Sequence, residues 1–238
     1  MGRVWWRKSL APPEAPALSI VIPTLDSAGS LAPTLESLAP AGAEVIVVDG
    51  GSRDGTPSLA ESRGARVVAS PPGRGAQLAA GAAVARGRWL LFLHGDTRLR
   101  DGWWDAAGDF MEAPTAGEDR AAVFRFALDD ESAAARRLEA LVDWRCHWLG
   151  LPYGDQGLLI SRAFYDALGG FRPLPLMEDV EIIRRIGRRR LTMLDADAIT
   201  SAARYRRDGY LRRPARNIVC LGLYLLGLSP RRLVRLYG

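Results

Sequence analysis

From residue 18 to about residue 101 the chain alternates short apolar runs with amphipathic stretches and turn-forming loops. Leu18-Ser19-Ile20-Val21-Ile22 reads as a strand that Pro23 stops. Leu31 to Leu38 has helical apolar spacing behind Ser27 or Ser30 as the cap. Glu44 to Val48 is a second strand ending at Asp49, and Gly50 to Thr56 is a turn-forming loop. Thr56-Pro57 suits a helix start with proline at its first position. Arg66 to Ala69 is a third, short strand, and Gly73 to Ala85 an alanine-rich helix closed by Gly87. Trp89-Leu90-Leu91-Phe92-Leu93 is then an unbroken apolar run, the pattern of a strand buried on both faces. Strand and helix in alternation predict a parallel sheet with helices on both sides.

After Asp101 the rhythm changes. Asp101 to Met111 predicts a helix, Ala121 to Leu128 a strand with alternating faces, and Glu131 to Leu149 a long helix. Trp144 and Trp148 lie one turn apart on that helix, in the core or as a wall of an acceptor cleft, with the core favoured. Gly157 to Ile160 predicts another buried strand and Arg162 to Leu168 a short helix ending at Gly169-Gly170. Met177 to Ile186 predicts a helix with an acidic first turn (Glu178, Asp179, Glu181), and Leu191 to Leu194 a last strand. Ile218 to Leu228 is too short to span a bilayer, which needs about 20 apolar residues. Flanked by Arg212, Arg213, Arg216, Arg231, Arg232 and Arg235, it reads either as a helix in a membrane interface or as a docking helix.

Composition narrows this picture little. A length of 238 residues, 48% hydrophobic and 25% charged, suits one large folded domain with an appendage. The net charge of +5 is carried mainly by arginine, which suits phosphate-bearing ligands or an anionic surface. The basic residues do not interleave with aromatics along one face, so no nucleic-acid partner is expected. Cys146 and Cys220 are far apart and in no CxxC spacing, which argues against a zinc site and gives the cytoplasm as the expected compartment. Residues 1–17 read as a loose leader carrying Arg3, Trp5, Trp6, Arg7 and Lys8 but no signal-peptide core, 18–210 as the main domain and 211–238 as the tail.

The chemistry gathers at strand ends. Thr24 and Asp26, then Asp49, then His94 and Asp96 follow three strands that a parallel sheet would bring to one edge. A carboxylate after Gly95 suits a divalent metal holding a diphosphate; the alternative is Asp96 as a helix cap. With Arg74 nearby, converging acids are the expected look of a site for a metal-bound, phosphate-containing ligand.

Several stretches resemble family 2 glycosyltransferases with the GT-A fold, most closely their short bacterial members. They are Ser19 to Leu25, Val47 to Thr56, Gly73 to Gln77, Phe92 to Thr97, Gly154 to Gly157, Gly169 to Phe171 and Leu176 to Glu181. The resemblance implies an α/β fold with a mostly parallel central sheet, helices on both faces and a C-terminal helical tail. It also implies a UDP- or GDP-sugar donor, Mg²⁺ or Mn²⁺, and a small-molecule or lipid-linked acceptor. Pro23, Thr24, Asp26, Asp49, Gly51 and Ser52 would hold base and ribose, and Arg74 and Gln77 the nucleotide or sugar phosphate. Asp96 matches the second acid of the family's DxD motif and would bind the metal, with His94 beside ribose or phosphate. Asp179 matches the catalytic base of an inverting displacement. Asp155, Gln156, Glu178 and Arg207 would line or support the acceptor side, and the tail would allow contact with the inner face of the cell membrane. The sequence departs from the pattern at His94, where the first DxD acid is usual, at Gly50, where a second acid follows Asp49, and at Ala79, where many relatives carry asparagine. A nucleotidyltransferase would need a Gly-rich loop with lysine after the first strand, which Pro23 to Ser30 is not. A non-catalytic, membrane-associated sugar-nucleotide-binding protein is the third reading.

Overall fold

A computed structural model describes residues 16–39, 42–113 and 119–237. The leader expected over 1–17 lies outside them but for its last two residues. The first half follows the predicted alternation: β1 (Leu18–Thr24), α1 (Ala28–Leu38), β2 (Glu44–Asp49), α2 (Thr56–Ser62), β3 (Arg66–Ala69), α3 (Arg74–Val84) and β4 (Trp89–Phe92). The period of two along a strand sorts these residues onto two faces. Ile20 and Ile22 of β1, Val47 of β2 and Leu91 of β4 join Leu31 and Leu35 of α1 in one core. Val21, Ile46, Val48, Leu90 and Phe92 meet Leu78 and Ala82 of α3 in the other. Each such side chain contributes roughly 1.5–3 kcal/mol on burial, so the unbroken apolar runs seat these strands in the middle of the molecule.

The second half contributes β5 (Thr97–Leu99), α4 (Trp103–Glu112), β6 (Ala121–Leu128), α5 (Ala133–Leu149), β7 (Leu158–Ser161), α6 (Arg162–Ala167), α7 (Glu178–Ile186), β8 (Leu191–Thr200), α8 (Ala203–Asp208), α9 (Arg212–Leu225) and α10 (Pro230–Tyr237). All eight strands form one sheet in the order β3-β2-β1-β4-β7-β6-β8-β5. The pairings among β1 to β4 are parallel. β7 runs antiparallel to β4 and β6, β6 pairs parallel with β8, and β5 is antiparallel to β8. The parallel character is therefore concentrated in the first half. β4 stands where the sheet turns from parallel to antiparallel, and next to β1, where the strand order reverses. Ligands in open α/β sheets bind outside strand carboxyl ends at such a reversal.

Four expectations change. Asp96 is not a helix cap, because β5 follows it directly. β6 is buried along its whole length except at Arg125, not on alternate residues, because it is an interior strand covered on both sides. β8 runs to Thr200, past the predicted end at Leu194, its acidic Asp195 and Asp197 being offset by ion pairs to Arg125. Trp144 and Trp148 are 53% and 61% exposed rather than core.

The tail docks through part of its surface: Cys220, Leu221 and Leu233 pack with Leu176, Met177 and Val180. Ile218, Val219, Leu225, Leu226 and Leu236 stay exposed. Among the described residues, no helix is long and apolar enough to cross a membrane.

Candidate active site

The loops after β1 and β2 are stitched together by three carboxylates. Asp49 accepts hydrogen bonds from the main-chain N–H groups of Gly51 and Ser52, both at 2.9 Å, and from the Thr24 hydroxyl at 3.3 Å. These bonds hold its carboxyl below the usual range against the opposing effect of burial, which is the largest single influence. Asp26 accepts from Arg53 N at 2.8 Å, and its own N–H donates to Ser52 Oγ at 2.8 Å. Asp54, exposed, accepts from Ala28 N and Thr56 N. Gln77 is buried beneath this network, its amide nitrogen donating to the carbonyls of Thr24 and Val48, both at 2.8 Å. Its carbonyl accepts from Gly73 N, so the amide serves to tie α3 to the ends of β1 and β2.

The same contacts explain the glycine at position 50. A Cβ there would lie 3.1 Å from Gln77 Nε2 and 3.3 Å from both Pro72 Cα and Thr24 O. The space an acidic side chain would need at its root is taken by Gln77 and Pro72.

A cleft of about 320 Å³ opens at the carboxyl end of β4. Arg74, His94, Asp96, Asp155, Asp179 and Arg204 all face it. Arg74 opens α3 and pairs its Nε with Glu178 Oε1 at 2.7 Å. Glu178 is 1% exposed, and burial pushes its carboxyl up to about 7 against the pull of Arg74. Met177, just before it, adopts the left-handed region at φ 65°. That conformation costs on the order of 1–2 kcal/mol for a residue with a Cβ, offset by burial of the Met177 side chain; past it, Asp179 faces the cleft and Glu178 is buried behind it.

Asp179 is held by the main chain. Its Oδ2 accepts from Gly154 N at 2.9 Å and its Oδ1 from Val180 N at 2.7 Å. Each oxygen keeps acceptor capacity for a ligand. His94 lies so close to the 153–156 turn that a Cβ on Gly154 would come within 2.6 Å of its Nε2. Burial, with Arg74 second, drives the His94 pKa down to about 4, Asp96 and Asp179 opposing, so the ring is neutral at pH 7. Asp96 Oδ2 lies 3.5 Å from Arg204 Nη2 of α8. Burial raises Asp155 to about 6 against the nearby Arg145, and its Oδ1 is buried with no hydrogen-bond partner.

Among the expected residues, the fold brings Arg74, His94, Asp96, Asp155, Asp179 and, behind them, Glu178 together. Pro23, Thr24, Asp26, Asp49, Gly51 and Ser52 form a second group, the β1–β2 end network, which does not line that cleft. Gln156 is buried under the cleft floor, its amide bonded to Phe124 O and Tyr153 N. Arg207 is a correction: it is exposed, pairs with its neighbour Asp208 at 2.7 Å and faces away from the cleft. Arg204, in the first turn of α8, reaches Asp96 and the cleft, whereas Arg207 in the last turn is drawn to Asp208. Tyr153, Arg213 and Asn217 also line the cleft. They fall within 121–153 and the tail, the stretches from which acceptor contacts are expected, but no motif singled them out individually.

The fold has counterparts among known proteins. The model of Glycosyl transferase family 2 matches residues 19–172. No curated protein matches the chain. Among solved structures, glucosyl-3-phosphoglycerate synthase from Mycobacterium tuberculosis in complex with Mn²⁺, UDP and glucosyl-3-phosphoglycerate is 21% identical, with a TM-score of 0.55 over 83% of this chain and 77% of that one. The same synthase with Mn²⁺ and UDP-glucose is 19% identical at a TM-score of 0.55, covering 78% and 70%. Its complex with Mn²⁺, UDP and phosphoglyceric acid is 23% identical at 0.55, covering 75% and 68%. At these identities the likeness concerns the fold. The family match covers well over half of the chain and carries the strand ends that build the cleft: this chain belongs to glycosyl transferase family 2.

Proposed function

We propose that this glycosyltransferase moves a sugar from a UDP- or GDP-sugar to an acceptor hydroxyl, with a divalent cation and inversion at the anomeric carbon. The observation that carries the reading is one cleft in which Asp96, neutral His94, Arg74, Arg204 and the main-chain-held Asp179 converge. The base and ribose lie along the β1–β2 end network, against Thr24, Asp26, Asp49 and the Gly51–Ser52 main chain. Gln77 and Gln156 serve by bracing the two sides, and Glu178 by positioning Arg74.

Among the described residues, no three His, Cys, Asp or Glu side chains form a closed metal cage. Asp96 with His94 beside it fits a Mg²⁺ or Mn²⁺ ion that takes its other ligands from a diphosphate and water. When bound, the cation neutralises charge on the departing diphosphate. Asp179 takes the acceptor hydroxyl proton as that oxygen bonds the anomeric carbon and the bond from carbon to phosphate oxygen breaks. Arg74 and Arg204 stabilise the leaving nucleoside diphosphate. The tail's exposed Ile218, Val219, Leu226 and Leu236, flanked by arginines, support contact with a membrane surface.

Thermal shift with UDP, GDP and their sugar conjugates, with and without Mn²⁺, tests the reading. Ligand at 100 times its Kd adds about 2.7 kcal/mol, so one nucleotide should raise the Tm with Mn²⁺, and Asp96→Asn should abolish the metal-dependent part. No shift from any nucleotide at millimolar concentration refutes it.

A further inference from the structure

A second depression, of about 200 Å³, opens off the cleft between α5 and α9. Two helical stripes face each other across it with the same spacing of i, i+3, i+4 and i+7. Leu138, Leu141, Val142 and Arg145 form one, and Pro214, Asn217, Ile218 and Leu221 the other. Trp144 completes the wall. The groove is not a sealed packing defect, because Leu141, Trp144 and Ile218 are 47%, 53% and 56% exposed. It is also not a separate site: Tyr153, Asp155, Tyr205 and Asn217 line both it and the cleft.

The junction is polar, and particular side-chain atoms of Arg145, Asp155 and Asn217 there lack hydrogen-bond partners. Arg145 stacks its guanidinium 3.6 Å over the Tyr153 ring, while its Nε and Nη2 are buried without hydrogen-bond partners. Asp155 Oδ1 and Asn217 Oδ1 are buried without partners as well. Buried polar atoms left in this state cost free energy that a ligand's polar head would recover. Polar groups at the mouth beside Asp179 and an apolar trough leading away describe one amphipathic molecule.

We propose that the acceptor is amphipathic: its hydroxyl-bearing head sits at the neck formed by Arg145, Asp155 and Asn217, and its alkyl or other apolar portion lies in the α5–α9 groove. The assignment rests on the transferase reading, since it gives the groove's occupant the role of acceptor. Continuity with the cleft names the occupant: Tyr153, Asp155, Tyr205 and Asn217 line both, so an apolar group in the groove carries its attached hydroxyl to the cleft that Asp179 faces.

Tryptophan fluorescence reads the groove directly, Trp144 being its wall. The full chain is titrated with methyl and octyl β-glucoside, the latter below its micelle-forming concentration, alongside Leu141→Gln and Ile218→Gln. Both replaced side chains are about half exposed, and melting curves check that the variants fold. The expected result is saturable octyl glucoside binding, tighter than methyl glucoside by roughly fourfold per methylene buried, and weakened at least tenfold in each folded variant. Trp144→Phe should remove most of the signal. Equal affinity for the two glucosides, or octyl binding unchanged in both variants, overturns the inference. The nucleotide thermal shift, run on the same samples, reports separately on the transferase reading. Nucleotide binding without chain-length dependence removes the amphipathic acceptor alone, whereas chain-length dependence without nucleotide binding removes the acceptor role.

Discussion

Replacing Gly154 with alanine tests the contact on which the site's geometry depends. The new Cβ would stand 2.6 Å from His94 Nε2, 3.2 Å from His94 Cε1 and 3.4 Å from Asp179 Oδ2. Ordinary contact begins at 3.4 Å, so His94 or the 153–156 turn must give by about 0.8 Å. If the turn gives, the bond from Gly154 N to Asp179 Oδ2, now 2.9 Å, is broken and the carboxylate loses its orientation. If His94 gives, the ring leaves its place beside Asp96, the residue proposed to hold the cation. Overpacking of this kind costs roughly 1–3 kcal/mol, and a misplacement near 1 Å costs up to about 100-fold in rate. Gly154→Ala should therefore lower kcat/KM for sugar transfer by 10- to 100-fold, in the range set by that misplacement. At about 2–4 °C per kcal/mol for a chain of this size, the Tm should fall by several degrees. Steady-state transfer kinetics and calorimetry measure both. A kcat/KM within twofold of wild type with an unchanged Tm would refute the packing of His94 against this turn.

Asp179→Asn removes the proton acceptor and leaves one of its two main-chain N–H partners, Gly154 N or Val180 N, facing an amide NH2, so kcat should fall by about 10²–10⁴ while nucleotide Kd is unchanged; a twofold effect would exclude Asp179 as the base. Glu178→Gln addresses the buried charge. Because the folded state raises the Glu178 pKa to about 7, it binds more protons than the unfolded chain between the ordinary glutamate range and pH 7. Its contribution to stability is therefore present at low pH and lost as pH rises through about 7. The stability of Glu178→Gln relative to wild type should rise between pH 5 and pH 8 by on the order of 1–3 kcal/mol. Denaturant melts at the two pH values check this, and parallel curves would count against a buried ionisable Glu178. At Gly75, a Cβ would lie 2.3 Å from the Arg172 carbonyl oxygen, a main-chain atom that cannot rotate away. Gly75→Ala should cost about 1–3 kcal/mol, read as a lower Tm, and wild-type stability would refute the close approach of α3 to residues 172–174.

Local pattern determined most of the first half. The apolar runs of β1, β2 and β4 have one solution, burial between two helix layers, and parallel strands then carry Thr24, Asp49 and His94 to one edge. The acidic helix opening at Glu178-Asp179 was legible locally, but the role expected of Asp179 came from the family resemblance, and its place at the cleft came from the fold. The order β4-β7-β6-β8-β5 depends on long-range pairing, which a strand's own sequence does not encode. β5 is only three residues long, and its pairing with β8 spans about a hundred positions. The split of the expected nucleotide residues between the β1–β2 end network and the cleft was likewise decided by packing, since Asp49 and Asp96 look alike in sequence. Tertiary structure alone turned Trp144 outward, brought Arg204 to the cleft while Arg207 paired with Asp208, and set α9 across a groove from α5. Each of those outcomes depends on which part of a helix meets a distant segment. Periodicity gives the faces, and only the folded chain chooses among them.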